Sequence, residues 1–168
     1  MSTLAYAAMT RKREEAQPGK STTSDAPGLK TYVDALAALV PAEVLTAHAA
    51  ILTFTTTTLK DTVTINDVGT LFYVFWALIA LSMVLYAAGR VMASAWDEWD
   101  WLRILIPPLA FVAWTMLQKA TAFDAVVLHW SIGWPEAGRS ATAIIGAIAL
   151  GVLASTLAYK ADQKPKQP

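Results

Sequence analysis

Over 168 residues the chain has no cysteine, only two histidines and a formal net charge of zero. Without cysteine, a disulfide framework, a thiol nucleophile and a thiolate zinc site are all excluded. Zero net charge removes the broad basic field that would draw nucleic acid, so no nucleic-acid partner is expected. No nucleophile elbow, phosphate-binding glycine loop, dinucleotide fingerprint or His-x-x-x-His zinc pair occurs in the sequence. The expectation is therefore a protein that is not an enzyme and that carries no metal or other cofactor.

What the chain has in excess is apolar side chains. They make up 55 % of it, and the mean hydropathy is +0.43, against about 45–50 % apolar in soluble domains. A bilayer as solvent accounts for the difference. Crossing its roughly 30 Å core takes about 20 mostly apolar residues in a helix, because unpaired backbone groups find no water there. Spans are predicted at about 36–59, 71–92, 102–118 and 140–159. The second, LFYVFWALIALSMVLYAAGRVM, is the clearest. The third is short and holds Pro107 and Pro108, which are expected to kink it.

The fold class predicted is an all-α integral membrane protein, with four transmembrane helices in a domain over 29–160. An N-terminal amphipathic approach helix is expected from SDAPGLKTYVDALAAL, with Ser24 or Asp25 as N-cap and Pro27 in the first turn. Between the third and fourth spans, KATAFDAVVLHWSIGWPEAGR is half apolar, which suits an interfacial or shallow re-entrant segment. Residues 1–28 read as a mobile cytoplasmic tail and 161–168 as a short basic one. A short apolar stretch precedes Arg11, Lys12 and Arg13, the reverse of the order in a cleaved secretory signal.

Basic residues set the orientation. Arg11, Lys12, Arg13, Lys20 and Lys30 precede the first span, Arg90 and Arg103 flank the second connection, and Lys160, Lys164 and Lys166 follow the fourth span. Under the positive-inside rule both termini and the middle connection are cytoplasmic, which requires an even number of spans. The alanine-rich composition and short tails suggest a bacterial plasma membrane.

The first span is unusually polar. At intervals of three and four, Leu36, Leu39, Glu43, Thr46, Ala50, Thr53, Thr57 and Lys60 share one face of a helix carried through to residue 60. A carboxylate inside a span costs about 2.5–3.5 kcal/mol and usually faces a bundle interior or water. If several copies surround an axis, Glu43 forms an acidic ring and Thr46, Ala50, Thr53 and Thr57 line a hydrated, cation-selective bore. The plainer reading is also open: Glu43 near an interface, and threonines bonded to their own helix carbonyls. His48 lies about 140° around the helix from Glu43. It is either a hydrogen-bonded interior histidine or a pH sensor.

In the fourth span Ala143, Ala147, Gly151 and Ser155 recur every four residues, a small-residue seam for close helix packing. WDEWDW places Asp97, Glu98 and Asp100 among Trp96, Trp99 and Trp101, and Asp97 and Glu98 lie close enough in sequence to Arg90 or Arg103 for local pairing across a short turn. Two functions compete. One is a homo-oligomeric channel with the first span around the axis and Asp124, His129 and Glu136 in an outer vestibule. The other is a non-conducting anchor or scaffold that recruits a cytoplasmic protein through the N-terminal tail or Trp96–Trp101.

Overall fold

The computed structural model describes residues 33–34, 36–59, 62–94 and 96–162, with side chains as far as Leu157. The N-terminal tail, the N-cap expected at Ser24 or Asp25, Lys60 and residues 163–168 lie outside the described residues. The elements, in chain order, are α1 (Ala42–Thr55), β1 (Thr56–Leu59), β2 (Thr62–Ile65), α2 (Val68–Met92), α3 (Asp100–Arg103), α4 (Ile106–Met116), α5 (Ala122–His129) and α6 (Glu136–Asp162). Helical backbone at 33–34 and 36–37 gives way to turns before Pro41, at the start of α1.

The protein is mostly helical, and among the described residues two helices are long and apolar enough to cross a membrane. These are Val68–Met92, of 25 residues, and Glu136–Leu157, of 22. Only 22 % and 28 % of their apolar windows are buried, so neither is an ordinary core helix wrapped by protein. At 1.5 Å per residue α1 is about 21 Å long and α4 about 16 Å, each short of a bilayer core.

The first apolar stretch does not stay helical to Leu59. Its helix ends at Thr55, and Thr56–Leu59 pairs antiparallel with Thr62–Ile65 in the register Thr56↔Ile65 to Leu59↔Thr62. Branching at Cβ restricts χ1 in a helix and suits the extended chain, and a threonine run is matched here by a second branched run, TVTI. The Asn66 side chain bonds the Thr57 hydroxyl, and Asn66 N–H donates to the Thr55 carbonyl at 2.8 Å, closing the hairpin onto α1. Asp67 then caps α2 by accepting from Thr70 N–H at 2.9 Å, an arrangement worth about 1 kcal/mol.

Pro107 and Pro108 start a helix instead of kinking one. They fall in the first turn of α4, where backbone N–H groups have no partner to lose. The third stretch is thus divided into α3 and α4, separated at Ile104 and Leu105.

α2 packs against α1, α4 and α5, while α6 packs against α4. The shared core includes Val44 of α1, Leu71, Phe75 and Leu78 of α2, Ile106, Ala110 and Phe111 of α4, and Ala122 and Val126 of α5. α5 falls in the connection read from sequence as an interfacial or shallow re-entrant segment. It turns back onto α2 through Phe75–Phe123 and Phe72–His129 ring contacts. Positive φ at Ala120 (54°) and Ser131 (50°) makes the tight turns at its two ends.

Candidate functional site

The sequence-predicted polar stripe lies on α1, and its orientation is resolved there. Val44, His48 and Thr55 are buried on one side of the helix, whereas Glu43, Thr46, Ala50 and Thr53 are exposed on another. Leu36 and Leu39, placed in the same stripe by spacing, are buried in the core. Thr57 is exposed but sits on β1, beyond the helix end, so it does not continue the helical face.

The depth of Glu43 follows from the hairpin. The bond between Asn66 N–H and the Thr55 carbonyl brings the adjacent ends of α1 and α2 level. Glu43 is twelve residues before Thr55 (55 − 43), and twelve residues after Asn66 is Leu78, near the middle of Val68–Met92. Counted from the hairpin with equal rise, Glu43 on α1 is as many residues along its helix as Leu78 is on α2. Among the described residues it has no ion-pair partner.

The hydroxyls above Glu43 are turned to their own helix. Thr46 donates to the Ala42 carbonyl at 2.8 Å, and Thr53 to the Ala50 carbonyl at 2.6 Å. A hydroxyl has one hydrogen and two lone pairs, so a threonine that donates inward offers only oxygen to whatever lies outside. The exposed face therefore presents acceptors and a carboxylate, separated by the small side chain of Ala50.

His48 occupies the opposite environment. It is fully buried, stands edge-on to Phe111 and Trp114 at 5.5 and 5.6 Å, and its Nε2 accepts from Ala122 N–H at 3.3 Å. Among the described residues its Nδ1 has no hydrogen-bond partner. No group of three or more His, Asp or Glu side chains that could hold a metal occurs among the described residues.

Each of the three residues expected in an outer vestibule has a partner in the structure. Asp124 binds Arg139 at 2.6 Å and accepts from Thr121 N–H at 2.9 Å, while Glu136 pairs with Lys119 at 3.1 Å on the surface. His129 stacks on Phe72 with ring centroids 4.1 Å apart. A cavity of about 180 Å³ beside Lys119, Asp124, Glu136 and Arg139 remains at this end.

At the far end of α2 the local pairing expected around WDEWDW is present, with a different centre. The fully buried Asp100 accepts from Tyr86 at 2.8 Å, from Arg90 at 3.0 and 3.1 Å, from Arg103 at 3.3 Å and from Asp97 N–H at 2.6 Å. Arg103 also pairs with Asp97 at 3.4 Å and donates to the Leu157 carbonyl of α6 at 2.9 Å. Burial pushes the Asp100 carboxyl up, but the Arg90, Asp97, Tyr86 and Arg103 donors outweigh it and hold it below its ordinary value. Tyr86 as a partner is invisible to local spacing, being 14 residues away.

The α6 seam is also partly displaced. Ala143 and Ala147 are buried, but burial continues at Leu150, Ala154 and Leu157, whereas Gly151 is half-buried and Ser155 exposed. A step of four advances about 400°, so a strict four-residue row drifts around the helix, and alternating four and three follows one face.

No protein-family model, curated protein or solved structure matches this chain.

Proposed function

We propose that the chain is a four-span integral membrane protein that assembles with copies of itself around α1, whose outward face forms a cation-selective path. The observation that carries this reading is the exposure of the Glu43 carboxylate within the first apolar stretch, followed on the same outward face of α1 by Thr46, Ala50 and Thr53. The outward side chains of α2 and α6, such as Tyr73, Val84, Ile145 and Val152, suit lipid. The outward face of α1 does not. Facing hydrocarbon it incurs the cost of a lipid-exposed charge, which a second copy or a water path removes.

In this arrangement the turns before Pro41 together with α1 make the first crossing, and residues 102–118, with Asp100 outside them, the third, each broken where α2 and α6 are continuous. α5 packs on the outer half of α2, and both termini are cytoplasmic. A ring of carboxylates attracts cations, and the inward-donating threonines leave oxygen lone pairs along the route.

Cation flux into proteoliposomes tests the proposal, with wild type compared with Glu43→Gln over a range of pH. The expected result is flux in wild type and loss of cation selectivity in the variant. Absence of flux from folded, inserted wild-type protein overturns it.

A second reading, a non-conducting anchor for a cytoplasmic partner, is favoured by a different feature. Trp96 and Trp101 are exposed in edge-to-face contact at 5.8 Å and, with Asp97 and Glu98, border an open hollow of about 480 Å³. Under this reading Glu43→Gln has no effect on function, and Trp101→Ala abolishes partner binding.

A further inference from the structure

His48 joins two helices that are far apart in sequence. Its Nε2 lies 3.3 Å from Ala122 N–H, 74 residues on, and Ala122 is the first residue of α5. An imidazole nitrogen that accepts a hydrogen bond carries no proton, so the neutral ring bears its hydrogen on Nδ1. The ring is buried edge-on to Phe111 and Trp114, and among the described residues Nδ1 has no hydrogen-bond partner. This side chain thus fills a role at a helix N-terminus that only the neutral form performs.

We propose that His48 is an acid-sensitive latch: neutral, it holds the N-terminus of α5 against α1, and a proton taken up at Nε2 releases it. Protonation acts twice. It turns the acceptor into a second donor facing the Ala122 N–H, and it places a cation at the positive end of the α5 dipole. Both effects oppose docking of α5.

The surroundings supply little to offset that charge. α4 has no ionisable side chain, and α2 has none between Tyr73 and Tyr86. On α1 the other ionisable group is Glu43, on the exposed face. On α5 Asp124 is held by Arg139 of α6 and by Thr121 N–H, and His129 stacks on Phe72 at the other end of the helix. Glu136 of α6 is exposed and paired with Lys119. The latch stands on the His48–Ala122 hydrogen bond and applies to a conducting or a non-conducting chain alike.

Amide hydrogen exchange of the full chain in lipid nanodiscs, read as protection of residues 122–126 between about pH 8 and about pH 4, tests the latch. Protection is expected to fall at least tenfold in wild type as pH is lowered, and to be independent of pH in His48→Gln, whose side-chain oxygen accepts without titrating. His129→Gln is expected to keep the wild-type response. Imidazole nitrogen NMR of wild type, which needs no substitution at His48, should show the Nδ1–H tautomer giving way to imidazolium at the same midpoint. Constant protection in wild type across the titration of His48 overturns the proposal, as does a response abolished by His129→Gln.

Discussion

The Tyr86 hydroxyl donates to the buried carboxylate of Asp100 at 2.8 Å, on the oxygen to which Arg103 also donates. One side chain thereby ties α2, the loop before α3, α3 itself and, through Arg103 and the Leu157 carbonyl, α6. Removing the carboxylate leaves two guanidinium groups without their shared acceptor. Asp100→Ala is expected to destabilise the protein by about 3–5 kcal/mol, and Tyr86→Phe, which deletes a single donor, by about 1.5–3 kcal/mol. Thermal unfolding in mild detergent checks the ranking. Equal midpoints for Asp100→Ala and wild type sink it.

The same carboxyl predicts a response to acid. Its folded value lies below its ordinary one, so its contribution to stability is complete above the unfolded value of about 3.9 and is lost as pH falls through the folded value. Wild type is expected to lose thermal stability below about pH 4. Asp100→Asn, less stable at neutral pH, should show a flatter dependence over that acid range. Parallel curves for the two proteins contradict this assignment.

The two helices long enough to cross a membrane are readable as apolar runs, because length and hydropathy are local properties. The limits of α1 are harder to read. Thr55–Thr58 tolerates both helix and strand, and pairing with Thr62–Ile65, across a turn, decides between them. Glu43 and Thr53 are placed on a common face by spacing alone, but exposure of that face depends on which neighbours pack behind it. Asp100 is legible as an acidic residue near two arginines. Its dominance over Asp97 arises from burial beneath Tyr86, a contact no local pattern encodes.

Assembly around α1 predicts a cross-link. The sequence has no cysteine, so Thr53→Cys introduces a single thiol on the outward face of α1. Oxidation in membranes is expected to yield a disulfide-linked dimer from Thr53→Cys or Ala50→Cys. Ile148→Cys, exposed on α6, should stay monomeric. Non-reducing electrophoresis reads the outcome, and linkage only from Ile148→Cys moves the interface to α6.

The drift of the α6 seam separates two substitutions that a four-residue spacing treats alike. Ala147 is buried where α6 meets α4, and Ser155, eight residues on, is exposed. Ala147→Leu has to force a larger side chain between two packed helices and is expected to cost about 1–3 kcal/mol. Ser155→Leu removes a hydroxyl bonded only to the Gly151 carbonyl, and on an outward helix face should change stability by less than about 0.5 kcal/mol. Thermal unfolding of both variants under one detergent condition compares them directly. A larger loss for Ser155→Leu would place another helix or another copy on that side of α6. A larger loss for Ala147→Leu locates the close contact on the face defined by Ala143, Ala147, Leu150 and Ala154.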